Sequence, residues 1–308
     1  MILHTGMRTD IPAFYSQWFF KRLEAGYVLV RNPFDPSAVT RYTLSPDAVD
    51  LIGFCTKNPA PMLPRLDEVK AYGQLWFVTI TPYGRDIEPN VPPKEQVIDS
   101  FWQLSEALGS HRVAWRYDPI LLNETYSIQR HLQDFETMAA CLSGATDTCI
   151  ISFIDLYEKV KRNFPEVKPV GQSDRILLGR EMAAIASHYG MTLKTCGEGD
   201  ELAPYGVDCS GCMTIPVYEK ALGERLIVPK SKPQRKECAC WLGGDIGAYH
   251  TCGHLCRYCY ANDDAALVTH NRARHDPESP FLIGNAMPGD RIHQAKQESW
   301  IDRQLRFW

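Results

Sequence analysis

The chain has no apolar run approaching the roughly 18 residues that a bilayer-spanning helix needs. Its opening residues, MILHTGMRTD, also lack the long apolar stretch of a secretory leader. Both absences predict a cytoplasmic protein. A surplus of positive charge is missing too: 33 Lys and Arg stand against 37 Asp and Glu, giving a net charge of -4 and a pI near 6.1. Duplex binding by bulk phosphate neutralisation is therefore disfavoured, while local basic patches stay open. Internal repeats, heptads and low-complexity tracts are lacking. The NAMPGD segment is punctuated by Gly and Pro without any phosphate-loop pattern, so no nucleoside triphosphate site is expected.

What is present is enough apolar material, 44% of 308 residues, for one large α/β domain or two smaller ones. Short apolar runs alternate with longer amphipathic segments, as in a parallel sheet with crossover helices. The predicted strands are ILHTG, DLIGFC, LWFVTIT, VAWRYD, CIISFID and MTLKT. The predicted helices are FYSQWFFKRLEAG, PMLPRLDEVKAYG, PKEQVIDSFWQLSEALG, SIQRHLQDFETMAACLSG and SDRILLGREMAAIASHYG. Such a series predicts a partial TIM-type (β/α)6 barrel over residues 1–195, with a doubly wound open sheet as the competitor. In a barrel, the polar residues Arg8, Asp10, Thr56, Lys57, Thr79, Thr81, Arg116, Asp118, Ser152 and Asp155 would converge on one mouth. Residues 196–243 read as a Cys-rich segment. Residues 244–308 read as a last short strand in GGDIGAY, a Cys-rich loop and a tail, PESPFLIGNAMPGDRIHQAKQESWIDRQLRFW, that passes from a loop into a terminal helix.

Eleven cysteines are many for a chain expected in a reducing compartment, and eight of them fall within residues 196–259. That crowding points to metal rather than disulfides. The tightest set lies in YHTCGHLCRYCYAN, where Cys252, Cys256 and Cys259 are spaced Cys-x3-Cys-x2-Cys. A cubane 4Fe-4S cluster normally takes four thiolates, so three leave one iron open. A zinc ribbon pairing Cys209 and Cys212 with Cys256 and Cys259, with His250 or His254 to spare, is the alternative. Its inter-pair gap far exceeds the ~15 to 20 residues usual in such sites, and it leaves Cys252 unexplained. Cys55, Cys141 and Cys149 read as core residues, with a hydrogen-donor role for Cys55 as the functional alternative.

The Cys-x3-Cys-x2-Cys spacing with Tyr258 before the third thiol resembles the signature of radical S-adenosylmethionine (SAM) enzymes. The resemblance implies SAM chelated to the open iron and cleaved reductively to a 5'-deoxyadenosyl radical, which abstracts hydrogen from a substrate. In most of that superfamily the motif follows the first strand. Here it comes last, so the resemblance implies a circular permutation, with the GGDIGAY strand beside ILHTG. FCTKNP, ITPYGRDIEPNVP and WRYDPI are similar to strand ends of the spore photoproduct lyase branch. Over nearly its full length, from RTDIPAFY through ISFIDLYEK and RKECAC to SPFLIG, the chain resembles an uncharacterised bacterial family, a domain of unknown function with radical-SAM-like C-terminal cysteines.

By that resemblance, Cys196, Cys212, Cys238 and Cys240 would hold a second, auxiliary 4Fe-4S cluster, with Cys209 outside the pattern and zinc as the alternative. Tyr258 would lean on the SAM adenine. Thr79, Arg116 and Asp118 are candidates for its carboxylate and ribose, and Thr56 and Lys57 for SAM or substrate. The ordinary alternatives are that Arg116 and Asp118 only pair with each other and that Thr79 is a plain strand residue. The basic segment PKSKPQRK beside Cys238 reads as a solvated loop or as a docking patch for an electron donor such as ferredoxin or flavodoxin. The substrate expected is an unknown small molecule or peptide. Repair or modification of a nucleic-acid base, and a non-catalytic zinc-binding module, are the alternatives.

Overall fold

The computed structural model describes residues 1–229 and 239–303. The chain opens with β1 (Ile2–His4), α1 (Ile11–Phe14), α2 (Ser16–Ala25) and a β-hairpin of β2 (Tyr27–Arg31) and β3 (Ala38–Thr43). Then come β4 (Leu51–Thr56), a 3-10 segment (Ala60–Val69), β5 (Gly73–Thr79), α3 (Lys94–Leu108) and β6 (Val113–Ile120). Next are α4 (Ile128–Leu142), β7 (Thr148–Phe153), α5 (Glu158–Asn163), α6 (Gln172–His188) and β8 (Thr192–Thr195). The remainder supplies α7 (Ile215–Leu222), β9 (Gly244–Asp245), α8 (Ala265–Ala273) and β10 (Arg291–Gln294).

Among the described residues, seven strands form one parallel sheet in the order β8-β7-β6-β5-β4-β1-β9. From β1 through β8 the order advances in one direction without the reversal that marks a doubly wound sheet. The connecting helices pack with one face of the sheet, as crossovers of the usual right hand require for such an order. Strand alternation divides the burial accordingly. Leu3, Ile52, Phe54, Trp76, Trp115 and Ile151 face the large core shared with the helices. There Phe54, Phe101 and Phe135, each at 0% exposure, contribute roughly 1.5–3 kcal/mol apiece by burial. Ile2, Leu51, Leu75, Phe77, Ala114 and Ile150 face the other way and meet Tyr218 and Ala221 of α7. That second face leads, at the carboxyl ends of the strands, to the candidate site.

The GGDIGAY strand is shorter than its sequence suggests: only Gly244 and Asp245 pair, with Leu3 and His4 of β1, in parallel. Gly243 is needed for this approach, because a Cβ there would stand 1.9 Å from the Ile2 carbonyl oxygen. Arg8 Nε donates to Asp245 Oδ1 at 2.7 Å and Met7 N to Oδ2 at 3.1 Å, pinning the short strand by side chain as well as by ladder.

Several expectations are corrected. The first predicted helix, FYSQWFFKRLEAG, corresponds to α2, and ahead of it stands an additional short helix, α1, which Asp10 Oδ1 caps through the Ala13 amide at 3.0 Å. PMLPRLDEVKAYG forms 3-10 turns instead of an α-helix, since Pro64 inside it can donate no backbone bond. The tail forms β10 where a terminal helix was expected. Its RIHQ segment pairs in parallel with β3, which is antiparallel to β2, to make a three-stranded sheet. Residues 304–308 lie outside the described residues. The loop-rich stretch after residue 195 contains α7, which ends at left-handed Gly223, and α8, capped by Asp264. Cys141 is exposed on α4, whose buried face is His131, Phe135, Met138, Ala139 and Leu142, so it is no core residue; Cys149 is buried. No described helix is long and apolar enough to cross a membrane.

Candidate functional site

Parallel strands present alternate side chains to one face, so β5, β6 and β7 deliver Thr79, Arg116, Asp118 and Ser152 to a common mouth, joined by Thr56 and Lys57 from the end of β4. All six line a cavity of about 320 Å³. Cys252, Cys256, Tyr258 and Cys259 border the same cavity from the loop after β9, and Cys196, Cys212 and Cys240 border it from the Cys-rich segment. Cys238 and most of the PKSKPQRK segment lie outside the described residues.

The triad loop is held by local backbone and by its neighbours. His250 and Leu255 adopt left-handed φ values of 58° and 56°, which fold the chain back on either side of Cys252. Asn262 Nδ2 donates to the Cys252 carbonyl at 2.9 Å, Asn90 Nδ2 to that of Gly253 at 2.9 Å, and the Ala261 amide to Cys259 Sγ at 3.4 Å. His254, a spare zinc ligand in the ribbon alternative, is engaged otherwise: its Nε2 meets Asp10 Oδ2 at 2.9 Å. Burial pushes all three thiols above the ordinary 9.0, and for Cys252 the nearby Asp10 and the other thiols add to it. Lys57 opposes that rise at Cys256, as do Lys159 and Lys57 at Cys259, and a bound metal cluster would convert the thiols to thiolates. The donor set therefore fits an iron-sulfur cluster.

Two polar networks flank the triad. Glu88, 4% exposed, accepts from Lys57 Nζ at 2.9 Å, from Thr81 Oγ1 at 2.6 Å and from the Tyr258 hydroxyl. Burial opposes the charge on Glu88, but Lys57, Thr81 and Tyr258 outweigh it and hold the carboxyl below 4.5. Tyr258 is thus fixed by a carboxylate that sequence reasoning passed over; the only signal was its place in the DIEP segment. On the opposite wall, Arg116 Nε donates to Asp118 Oδ2 at 2.8 Å, and Ser152 donates to Asp118 Oδ1. Arg116 Nη1 also faces Cys212 Sγ at 3.6 Å. The Arg116–Asp118 pairing is therefore made, with both side chains still at the cavity. Cys55 lines the cavity as well, its thiol pushed up to about 12 by burial.

Within the second cysteine set, Cys212 Sγ lies 3.3 Å from Cys196 Sγ and 3.6 Å from Cys240 Sγ. Cys209 stands apart, its thiol on the Val207 carbonyl at 3.7 Å. Among the described residues, no group of three or more His, Cys, Asp or Glu side chains is placed to hold a metal ion.

The model of the family described as Domain of unknown function (DUF1848) matches residues 2–261. The chain belongs to this DUF1848 family. No curated protein and no solved structure matches it. The family match takes in every strand of the seven-stranded sheet and ends just past Cys259, so the triad loop and the second cysteine set both lie within the shared DUF1848 region.

Proposed function

We propose that the chain is a radical SAM enzyme, binding a 4Fe-4S cluster through Cys252, Cys256 and Cys259 and SAM in the adjoining cavity, on a circularly permuted partial (β/α) barrel. One observation carries this reading: three thiols at radical-SAM spacing, Cys256 buried and Cys252 and Cys259 partly buried, open onto a cavity of about 320 Å³ at the carboxyl ends of parallel strands, where barrel enzymes gather their reactive groups. Two features of the sheet support the architecture. The strand order advances in one direction, and α7 fills the face that a barrel would turn inward. The parallel pairing of β9 with β1 supports the permutation, since the strand before the triad loop then neighbours the chain's first strand.

When bound, the cluster supplies the electron that cleaves the sulfonium of SAM. The residues around it bind, orient and shield. Glu88 fixes the Tyr258 ring and the Lys57 ammonium beside Cys256. Thr79 and the Arg116–Asp118 pair supply a hydroxyl, a cation and an anion to a polar ligand with amino, carboxylate and ribose groups. The net charge of -4 favours a small molecule or a peptide over a nucleic acid as the substrate.

Anaerobic reconstitution tests the reading. About four iron and four sulfide should bind through the triad, and the reduced protein should convert SAM to 5'-deoxyadenosine and methionine, with Cys256→Ala abolishing the conversion. Stoichiometric zinc at the triad, or a reduced and iron-loaded protein that leaves SAM intact even with cell extract present, would overturn it.

A further inference from the structure

Among the described residues, the charged side chains lining the cavity are paired, with one exception. Lys57 meets Glu88 at 2.9 Å, Arg116 is joined to Asp118, and Asp10 meets His254 Nε2 at 2.9 Å. Asp155, two residues beyond the end of β7, lines the same cavity without an ion pair. Its side chain is bonded only by the Tyr157 hydroxyl, which donates to Oδ2 at 3.2 Å. Lys159 and Arg162 of α5 are both taken up by Asp263. Behind the cavity wall, Glu198 accepts from the Phe153 amide at 2.8 Å and shares Arg175 with Glu201, so no cation is spare on that side either. Two aromatic rings stand at the same rim. Tyr157 and Tyr260 are each 40% exposed, and their ring centroids lie 6.0 Å apart at 50°. Of the large apolar side chains exposed among the described residues, these two alone border the cavity. Their hydroxyls are engaged by Asp155 Oδ2 and by the Met7 carbonyl, which fixes both rings and leaves ring surface as what they offer a ligand.

We infer that the mouth of this cavity receives the positively charged end of the substrate, an ammonium or guanidinium group carried by a small molecule or a peptide side chain. Asp155 supplies the missing counter-charge, and the Tyr157 and Tyr260 rings supply the π surface that attracts a cation. A carboxylate at an open rim stays hydrated and contributes little by itself. Two fixed rings beside it add selectivity, because they favour a cation over a neutral chain of equal length. An anionic group, a phosphodiester included, would meet Asp155 with like charge and be turned away. Deeper in the cavity the ions are already paired, so no other lining carboxylate competes for the cation. The inference rests on the reading of this cavity as a substrate site and does not depend on what the Cys252 triad binds.

The test is a saturation-transfer NMR titration of the anaerobically reconstituted full chain with Nα-acetyl-L-lysine methylamide, using the norleucine and glutamate counterparts as neutral and anionic controls. The lysine compound should bind in preference to both. Asp155 is exposed, so Asp155→Asn should fold as the native chain does; it should weaken lysine binding about fivefold at low ionic strength, and the difference should shrink as salt is added. Tyr157→Leu should weaken binding about threefold, and Tyr157→Phe should recover most of that loss. SAM affinity, measured in parallel, should be unchanged by Asp155→Asn. Equal binding of the lysine and norleucine compounds would overturn the proposal. So would undiminished lysine binding in Asp155→Asn, or a matching loss of SAM affinity there, which would assign the carboxylate to the ammonium of SAM. Iron loading and SAM cleavage, read on the same samples, separate this inference from the radical SAM reading. Lysine binding through Asp155 in a chain that leaves SAM intact sinks that reading and keeps the cation site, whereas a SAM-cleaving chain indifferent to Asp155 does the reverse.

Discussion

Replacing Glu88 with Gln removes one charge from an enclosed Lys–Glu ion pair at the site. The Glu88 and Lys57 side chains are 4% and 12% exposed, and their charged atoms meet at 2.9 Å. Breaking a buried pair by deleting one partner costs about 3–5 kcal/mol, because the remaining charge loses its counter-charge without regaining water. The substituted amide keeps the size and could still accept from Thr81, and Lys57 retains some exposure, so the low end, about 3 kcal/mol, is expected. Urea unfolding in anaerobic buffer at neutral pH reads this as a lowered midpoint with unchanged slope. Adding Lys57→Met should restore part of the loss, since no uncompensated charge then remains.

The pH arm follows from the two shifts. Glu88 is held below its ordinary 4.5, so its share of stability is present above 4.5 and fades as pH falls through the lower folded value. Burial opposes the Lys57 charge, but Glu88 and the Cys256 sulfur raise its pKa above 10.5, so its share is present below 10.5 and fades as pH rises beyond the folded value. Between these limits the difference between native and E88Q proteins should be flat. An E88Q protein within about 0.5 kcal/mol of the native one would refute the assignment of Glu88 as a charge that the fold depends on.

Gly243→Ala should lower Tm and speed exchange of the Ile246 amide, which donates to the His4 carbonyl at 3.0 Å, because the added methyl group meets the Ile2 carbonyl; overpacking of this kind costs about 1–3 kcal/mol. Asp245→Ala should cost about 3 kcal/mol by leaving Arg8, 13% exposed, without its partner, and it should reduce iron loading at the triad while Asp245→Asn loses less. Burial lowers the His4 pKa to about 4 from an ordinary 6.5, so stability should be full above 6.5 and fall by roughly 3 kcal/mol as pH drops to 4. An NMR titration that finds the His4 ring protonating near 6.5 would contradict that burial.

The parts of the molecule legible in sequence are those set by local pattern. Alternating apolar residues located the long central strands, since each buries one face against helices and the other against a second core. The triad was legible because its three thiols lie within eight residues. Elements decided by distant partners were not. β10 forms because β3, some 250 residues earlier, offers an open edge, and RIHQ carries no sign of that partner. Glu88 reads as a loop acid until the folded chain brings Lys57, Thr81 and Tyr258 around it. Cys141 misled for a related reason: helix periodicity fixes which residues share a face, but an ambiguous small residue at the margin can fall on either side.

The contrast between the two cysteine sets follows from the same division. A local motif states its own spacing, and spacing restricts the metal group that the motif can hold. The second set is assembled from the end of β8, the approach to α7 and the approach to β9, so its sequence spacing says nothing about the distance between sulfurs. Only the fold brings Cys212 Sγ within 3.3 Å of Cys196 Sγ and 3.6 Å of Cys240 Sγ. β9 is held to the sheet by two register pairs with β1 and by the contacts of Asp245, which is little for a strand that must carry the triad loop. The bonds from Arg8 and Met7 to Asp245 therefore supply the restraint on the triad loop that a two-residue ladder lacks.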